Sequence, residues 1–184
     1  MYKNFTTSDN RIIHIFEDAV DYNFQTKIYN YVKNSLFTIT GYDNGILEER
    51  HLTLISHYDV TDLEECGFLS GLPEEIKSLI SPQEYNITDV LVNLCKPDDI
   101  FHIHSDDTTN NGLTLIYYVN LKWQLEWGGD TVFLDSTSKE IEYTSKYSPG
   151  KFVLFDGGIP HLIRPSTRLA PDYRFTLAAR FRRK

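Results

Sequence analysis

The sequence predicts a mainly β protein, a barrel or jelly roll with α-helices supporting it from the N-terminal part. From residue 87 onward, short apolar or alternating runs follow one another at close spacing, the pattern of a sandwich or barrel. Gly, Asn, Asp, Ser or Pro punctuates most of these runs, which marks turns. Ahead of them lies one long segment with helical periodicity. The chain has 184 residues, enough for one domain with a substantial core. No internal repeat or low-complexity linker divides it. A single domain over 1–184 is expected, with 1–86 a helical and mixed support region and 87–181 the β core.

Taken in order, Arg11–Phe16 reads as a short apolar strand. Phe24, Ile28, Tyr31, Val32 and Leu36 share one face of a helix, with Asp21 as its N-cap, and that face is read as packing on a sheet. Gly41–Gly45 supplies turn chemistry. Leu52–His57 is one strand, followed by acidic loop residues. Leu72–Ile80 is a short helix with Pro73 in its first turn and Ser81-Pro82 at its end. The β runs are Ile87–Cys95, Ile100–His104, Leu113–Val119, Thr131–Leu134, Ile141–Thr144, Phe152–Phe155, His161–Ile163 and Phe175–Phe181.

Composition excludes several classes. Hydrophobic residues make up 41% and charged residues 24%, the balance of an ordinary globular chain. A net charge of −8 argues against holding a phosphate backbone by bulk charge. The basic C-terminal group Arg180, Arg182, Arg183 and Lys184 is read as a solvated tail, so no nucleic-acid partner is expected. Cys66 and Cys95 form no CxxC pair and are expected as reduced thiols. The first ten residues are polar, and no run approaches the ~20 apolar residues of a membrane span. The expectation is a cytoplasmic protein with no membrane contact.

The chemistry begins at Phe101-His102-Ile103-His104-Ser105-Asp106-Asp107. On an extended strand, side chains two apart point to one face, so His104 and Asp106 can aim an imidazole and a carboxylate at one point. His102 falls on that face too if the strand runs straight. Two histidines and a carboxylate suit a ferrous ion and leave positions open. Taken alone, the pair fits a surface pair as well. His14, His51 and His57 have no partner at ligand spacing. His161 follows Asp156-Gly157-Gly158-Ile159-Pro160, where glycines allow a tight turn, and can return beside His104. By itself it reads equally as a structural histidine. Arg174 opens an apolar strand. An arginine aimed into a barrel needs an anionic partner, either a metal-chelating small molecule or an acidic side chain.

Phe101–Asp106, Leu113–Asn120 with Trp123 and Trp127-Gly128-Gly129-Asp130, Pro149–Phe155, His161 and Arg174-Phe175 succeed one another in a particular order. That order resembles the prolyl-4-hydroxylase-like branch of the Fe(II)/2-oxoglutarate dioxygenases, over roughly residues 87–181. The resemblance implies a double-stranded β-helix with iron ligands His104, Asp106 and His161. It implies that Arg174 binds the far carboxylate of 2-oxoglutarate, helped by Tyr118, with Thr114 in the same pocket. The gap from His161 to Arg174 is longer than in oxygen-sensing hydroxylases, which leaves Arg168, in a Pro-bounded loop, as the weaker candidate for that role. The implied cofactors are Fe(2+), 2-oxoglutarate and O2, with ascorbate as an auxiliary reductant. The implied reaction hydroxylates a C–H bond, with a prolyl residue in a peptide or protein the favoured substrate and a small molecule also open. Trp127 and Arg180 are the substrate-side candidates.

Two competing readings stand beside this one. Arg174 and Arg180, six apart on one strand face, resemble the end motif of nucleic-acid alkylation-repair dioxygenases. Alternatively, His102, His104 and His161 form a three-histidine cupin site that makes no use of 2-oxoglutarate, with Asp106 and Asp107 facing solvent.

Overall fold

A computed structural model describes residues 1–39, 54–99, 101–109 and 111–184. The expected turn at Gly41–Gly45, the start of the strand expected at Leu52, and His51 lie outside these residues. Strands β1 (Tyr2–Thr6) and β2 (Ile12–Phe16) lead into helix α1 (Tyr22–Lys33). β3 (Thr38–Ile39), β4 (Leu54–Tyr58), α2 (Val60–Glu65) and α3 (Glu74–Leu79) follow. The remainder is β5 (Tyr85–Cys95), β6 (Gly112–Tyr118), β7 (Thr131–Leu134), β8 (Ile141–Ser145), β9 (Phe152–Asp156), β10 (His161–Ile163) and β11 (Arg174–Arg183).

The strands form a large sheet in the order β1-β2-β9-β6-β11-β5-β4-β3 and a small one in the order β10-β7-β8, antiparallel throughout. Each central strand of the large sheet is buried on both faces, and its residues alternate between two cores. Val90, Val92, Leu115, Tyr117, Leu154, Leu177 and Ala179 pack on Ile28 and Val32 of α1, Leu63 of α2 and Ile76 of α3. Leu91, Ile116, Tyr118, Val153, Phe155 and Ala178 face Phe133 of the small sheet, Tyr147 and Ile159. Two antiparallel sheets around an apolar interior, with helices outside the larger, make the double-stranded β-helix.

Several elements differ from expectation. Asp21 caps α1, its carboxylate accepting from the Phe24 N–H at 2.8 Å. The helix stops at Lys33, however, where Asn34 and Ser35 turn their side chains onto the carbonyls of Asn30 and Tyr31, so Leu36 lies beyond it and is 88% exposed. Pro73 sits at the N-cap position of α3, just outside its first turn. The acidic stretch after β4 is the helix α2, begun by a reciprocal capping box between Asp59 and Asp62. The strand expected over Ile100–His104 does not form over the described residues 101–103. The chain leaves the sheet after Cys95, Asp98 takes a φ of +68°, and of the described residues 101–109 only His104 pairs again, with His161. No described helix is long and apolar enough to cross a membrane.

Candidate metal centre

Because the strand through His104 does not form, another device aligns His104 and Asp106. Loop 104–107 is laced onto the turn 157–161. His104 and His161 exchange backbone hydrogen bonds at 3.0 and 2.9 Å, and the Asp107 N–H donates to the Gly157 carbonyl at 2.9 Å. The Ser105 hydroxyl reaches the Gly158 carbonyl at 3.2 Å. Gly157 serves close approach: a Cβ there would stand 3.1 Å from the Asp107 Cβ. The Asp156 carboxylate accepts from the Gly158 N–H at 2.8 Å, fixing the turn that delivers His161.

The result is one cluster. His104, Asp106 and His161 offer ligand atoms that all lie within 4.8 Å of one another. His104 Nε2 is 3.9 Å from Asp106 Oδ1, and His161 Nε2 is 3.6 Å from Oδ2. The Asp106 side chain is only 4% exposed, so it does not face solvent as a three-histidine site would require. His102 is not part of the cluster; its backbone carbonyl instead meets His104 Nδ1 at 2.9 Å. The Ile159 carbonyl meets His161 Nδ1 at 3.0 Å. A carbonyl only accepts, so both Nδ1 atoms carry the proton and both Nε2 lone pairs are left for a metal.

The electrostatics agree with that tautomer. Burial pushes the His161 pKa down to about 4 against the pull of Asp106, so its ring is neutral near pH 7. Burial works against the Asp106 carboxylate, but His161, Arg180, His104 and the Thr114 hydroxyl outweigh it and its pKa is lowered. Phe155 stands edge-on to His161 at 5.0 Å and keeps water from that side.

A cavity of about 200 Å³ opens beside the three donors, lined on its apolar side by Ile55, Leu91, Phe101, Ile116, Ile163 and Ala178. Thr131, Thr176, Asn93 and Arg180 supply the other polar groups. A larger groove of about 810 Å³ runs between α1, α2 and β4 but carries none of the three donors.

Behind the cavity wall lies Arg174, with no exposed surface. Its Nε donates to the Gly129 carbonyl at 2.8 Å, and Nη1 donates to Thr176 Oγ1. The guanidinium lies 4.7 Å from the centre of the Tyr147 ring, which is stacked on Tyr118 at 4.5 Å. No acidic side chain is ion-paired with it among the described residues, and its Nη2 has no hydrogen-bond partner there. A buried cation left this way is costly, and the arrangement calls for an anionic partner beyond the described residues. Arg168, the weaker candidate, is 86% exposed and paired with Asp98.

The Trp-Gly-Gly turn is what admits Arg174. Gly129 has φ +81°, and a Cβ there would meet Arg174 Cδ at 2.9 Å. Trp123 donates from Nε1 to the Gly128 carbonyl at 2.8 Å. The Tyr118 hydroxyl donates to Thr131 Oγ1 at 2.9 Å, and Thr131 lines the cavity. The Thr114 hydroxyl is given to Asp106 Oδ2 at 2.8 Å. Trp127 rests edge-on to Trp123 and is not among the residues lining the cavity.

Two histidines and one carboxylate at an open cavity are the donor set of mononuclear non-haem iron oxygenases. The sequence profile of the 2OG-Fe(II) oxygenase superfamily matches residues 90–182, and the chain belongs to that superfamily. The fold is similar to a Pseudomonas putida prolyl-4-hydroxylase at 15% identity, covering 94% of this chain and 92% of that one with a TM-score of 0.64. It is also similar to a Trichoplax adhaerens prolyl hydroxylase solved with a hypoxia-inducible-factor peptide fragment, at 19% identity, 92% and 83% coverage and TM-score 0.64. HygX from Streptomyces hygroscopicus, solved with nickel and 2-oxoglutarate, matches at 8% identity, 92% and 82% coverage and TM-score 0.66. A comparison with curated protein sequences gives no match.

Proposed function

We propose that the chain is an Fe(II)- and 2-oxoglutarate-dependent hydroxylase in which His104, Asp106 and His161 hold the iron. Arg174 binds the far carboxylate of 2-oxoglutarate, with Tyr118 and Tyr147 stacked beneath its guanidinium. The observation that carries this reading is Arg174 itself, fully buried with Nη2 unpartnered behind a cavity whose other side holds three metal donors. Iron bound there would, with 2-oxoglutarate and O2, supply the oxidising power: one atom of O2 would enter the substrate as hydroxyl and the other the new carboxylate of succinate, with CO2 released. The chain's own part is to hold the His161 imidazole neutral, fix Asp106 and bury the anion site away from water. Retention of Asp106 favours hydroxylation over halogenation, because halide binding needs a small residue in place of this ligand.

For the substrate we favour a prolyl residue in a peptide or protein. The cavity wall beside the donors is mostly aliphatic, which suits an uncharged ring or side chain. Phe101 is the single non-histidine aromatic lining it, so the pair of faces that would sandwich a flipped base is missing among the described residues. Arg180, which the alkylation-repair reading would give to cofactor or substrate, spends N–H groups on Asp106 and Asp89. Both cysteines are buried and no disulfide joins them, which suits a reducing cytoplasm.

The test is turnover of 2-oxoglutarate by the purified chain with Fe(II), O2 and ascorbate as auxiliary reductant, followed by proline-containing peptides. Succinate formation lost in Asp106→Ala, and a gain of one oxygen on a prolyl residue by mass spectrometry, are the expected results. No oxygen uptake under any condition would remove the hydroxylase reading. Turnover with oxidation of a small molecule and never of a peptide would replace the substrate.

A further inference from the structure

Asp106 reaches the cluster from a loop, yet the large sheet holds its carboxylate on both oxygens. Thr114 of β6, Arg180 of β11 and Asp89 of β5 are cross-strand partners in one transverse row. From that row Thr114 donates to Oδ2 at 2.8 Å. Arg180 donates to Oδ1 twice, from Nε at 3.1 Å and from Nη2 at 2.7 Å. The far edge of the guanidinium is anchored in turn, Nη1 donating to Asp89 Oδ2 at 2.7 Å. The two ends differ in environment. The Asp106 side chain is 4% exposed and that of Asp89 34%, so the contact to Asp106 is the desolvated one and the contact to Asp89 is partly screened.

We infer that Arg180 is a positioning residue for the metal carboxylate: braced by Asp89, its planar fork holds Asp106 in one orientation before any metal arrives. This rests on the reading of Asp106 as an iron ligand. The guanidinium fits the task because its N–H groups are rigidly splayed and can serve two carboxylates at once, which an ammonium cannot reproduce. Among the described residues, Thr114 and Arg180 are the side chains that tie the Asp106 carboxylate to the large sheet, while the backbone of its neighbours His104 and Asp107 is bonded to the turn 157–161.

Charge and orientation predict opposite signs, and this makes the inference decidable. A cation beside a divalent-metal site repels the metal, so removing it by charge alone would tighten binding. Losing the orientation of a ligating carboxylate weakens binding, by about 10–100-fold for outer hydrogen-bond partners of this kind.

The experiment is calorimetric titration of the full chain with Mn(II), with the paramagnetic resonance line shape of the bound ion as a second readout. Arg180→Met is expected to bind Mn(II) about 10–100-fold more weakly with a broadened, heterogeneous spectrum. Arg180→Lys, which keeps the charge but not the fork, is expected to remain weakened. Asp89→Asn, which leaves Asp106 paired and is the variant to rely on if Arg180→Met does not fold, is expected to lose several-fold. Affinity equal to or above wild type in a folded Arg180→Met, full rescue by lysine, or an unchanged Asp89→Asn overturns the inference. Asp106→Ala separates the two levels: intact Mn(II) binding there removes the ligand reading itself.

Discussion

Replacing Arg174 by Met isolates the anion site from the metal site. Arginine has five N–H groups, and in this fold Nε and Nη1 are committed to Gly129 and Thr176. Nη2, with two N–H groups, has no partner among the described residues. A hydrogen bond to a charged group contributes about 1.5–3 kcal/mol. Two such bonds to a carboxylate are therefore worth at least about 3 kcal/mol, or roughly a hundredfold in affinity. Stability should move less. Methionine leaves the Gly129 carbonyl and the Thr176 hydroxyl without a donor, costing about 1–3 kcal/mol. It also removes a buried cation that has no counter-ion, which offsets a similar amount. The assay is calorimetric binding of 2-oxoglutarate to Mn(II)-loaded protein, with Mn(II) affinity measured separately. The expected result is a Kd for 2-oxoglutarate raised about a hundredfold or more, with the metal Kd changed by a few-fold at most. A 2-oxoglutarate Kd within about threefold of wild type would refute the reasoning, because Nη2 would then be irrelevant to the ligand.

Gly129→Ala forces a left-handed backbone on a residue with a Cβ and drives it to 2.9 Å from Arg174 Cδ. A loss of about 1–3 kcal/mol in urea unfolding and a KM for 2-oxoglutarate raised more than kcat is lowered are expected. Metal-free protein should lose stability on acidification through His161. The unfolded ring titrates at 6.5 and the folded one at about 4, so the unfolded chain takes up the proton first. Stability is therefore intact above pH 6.5 and falls by up to about 3 kcal/mol towards pH 4. Comparing urea unfolding of wild type and His161→Gln at pH 7 and 4.5 checks this, the variant lacking that part of the loss. Asp21→Ala removes the cap on the Phe24 N–H and should cost about 1 kcal/mol, a Tm lowered by roughly 2–4 °C in a thermal scan.

The β core was legible because its strands are buried on both faces, so runs such as Leu113–Val119 stand out by hydrophobicity alone. β1 escaped notice because it is an edge strand with four of its five residues exposed, and no apolar pattern marks it. α2 had a readable signal, Asp59 and Asp62 at capping-box spacing, hidden by its acidity. The donors His104, Asp106 and His161 were readable as residue types, but the reason they converge was not. Alternation on a strand was expected, whereas the chain uses backbone lacing between loops 104–107 and 157–161. Partnerships across the sheet are set by register and cannot be read locally. Arg180 looked like a tail or substrate residue until β11 aligned it between Thr114 and Asp89. The isolation of Arg174 likewise depends on which acidic side chains stay away from it.

Arg174, Thr176, Ala178 and Arg180 occupy successive inward positions of β11, with Phe175, Leu177, Ala179 and Phe181 turned to the helices. The separation of the two arginines is thus a count of pleats: three repeats of two residues, about 20 Å along the strand. Loops elsewhere in the site can drift without altering that interval, so the proposed anchor for the anion and the proposed brace for the metal carboxylate behave as marks on one ruler. Adding or deleting a single residue between them would not stretch the ruler but turn half of it over, sending Arg180 into the apolar layer under α1. The strand's length is therefore a tightly specified dimension of the centre, although Phe175, Leu177 and Ala179 face the helices and line no part of the cavity.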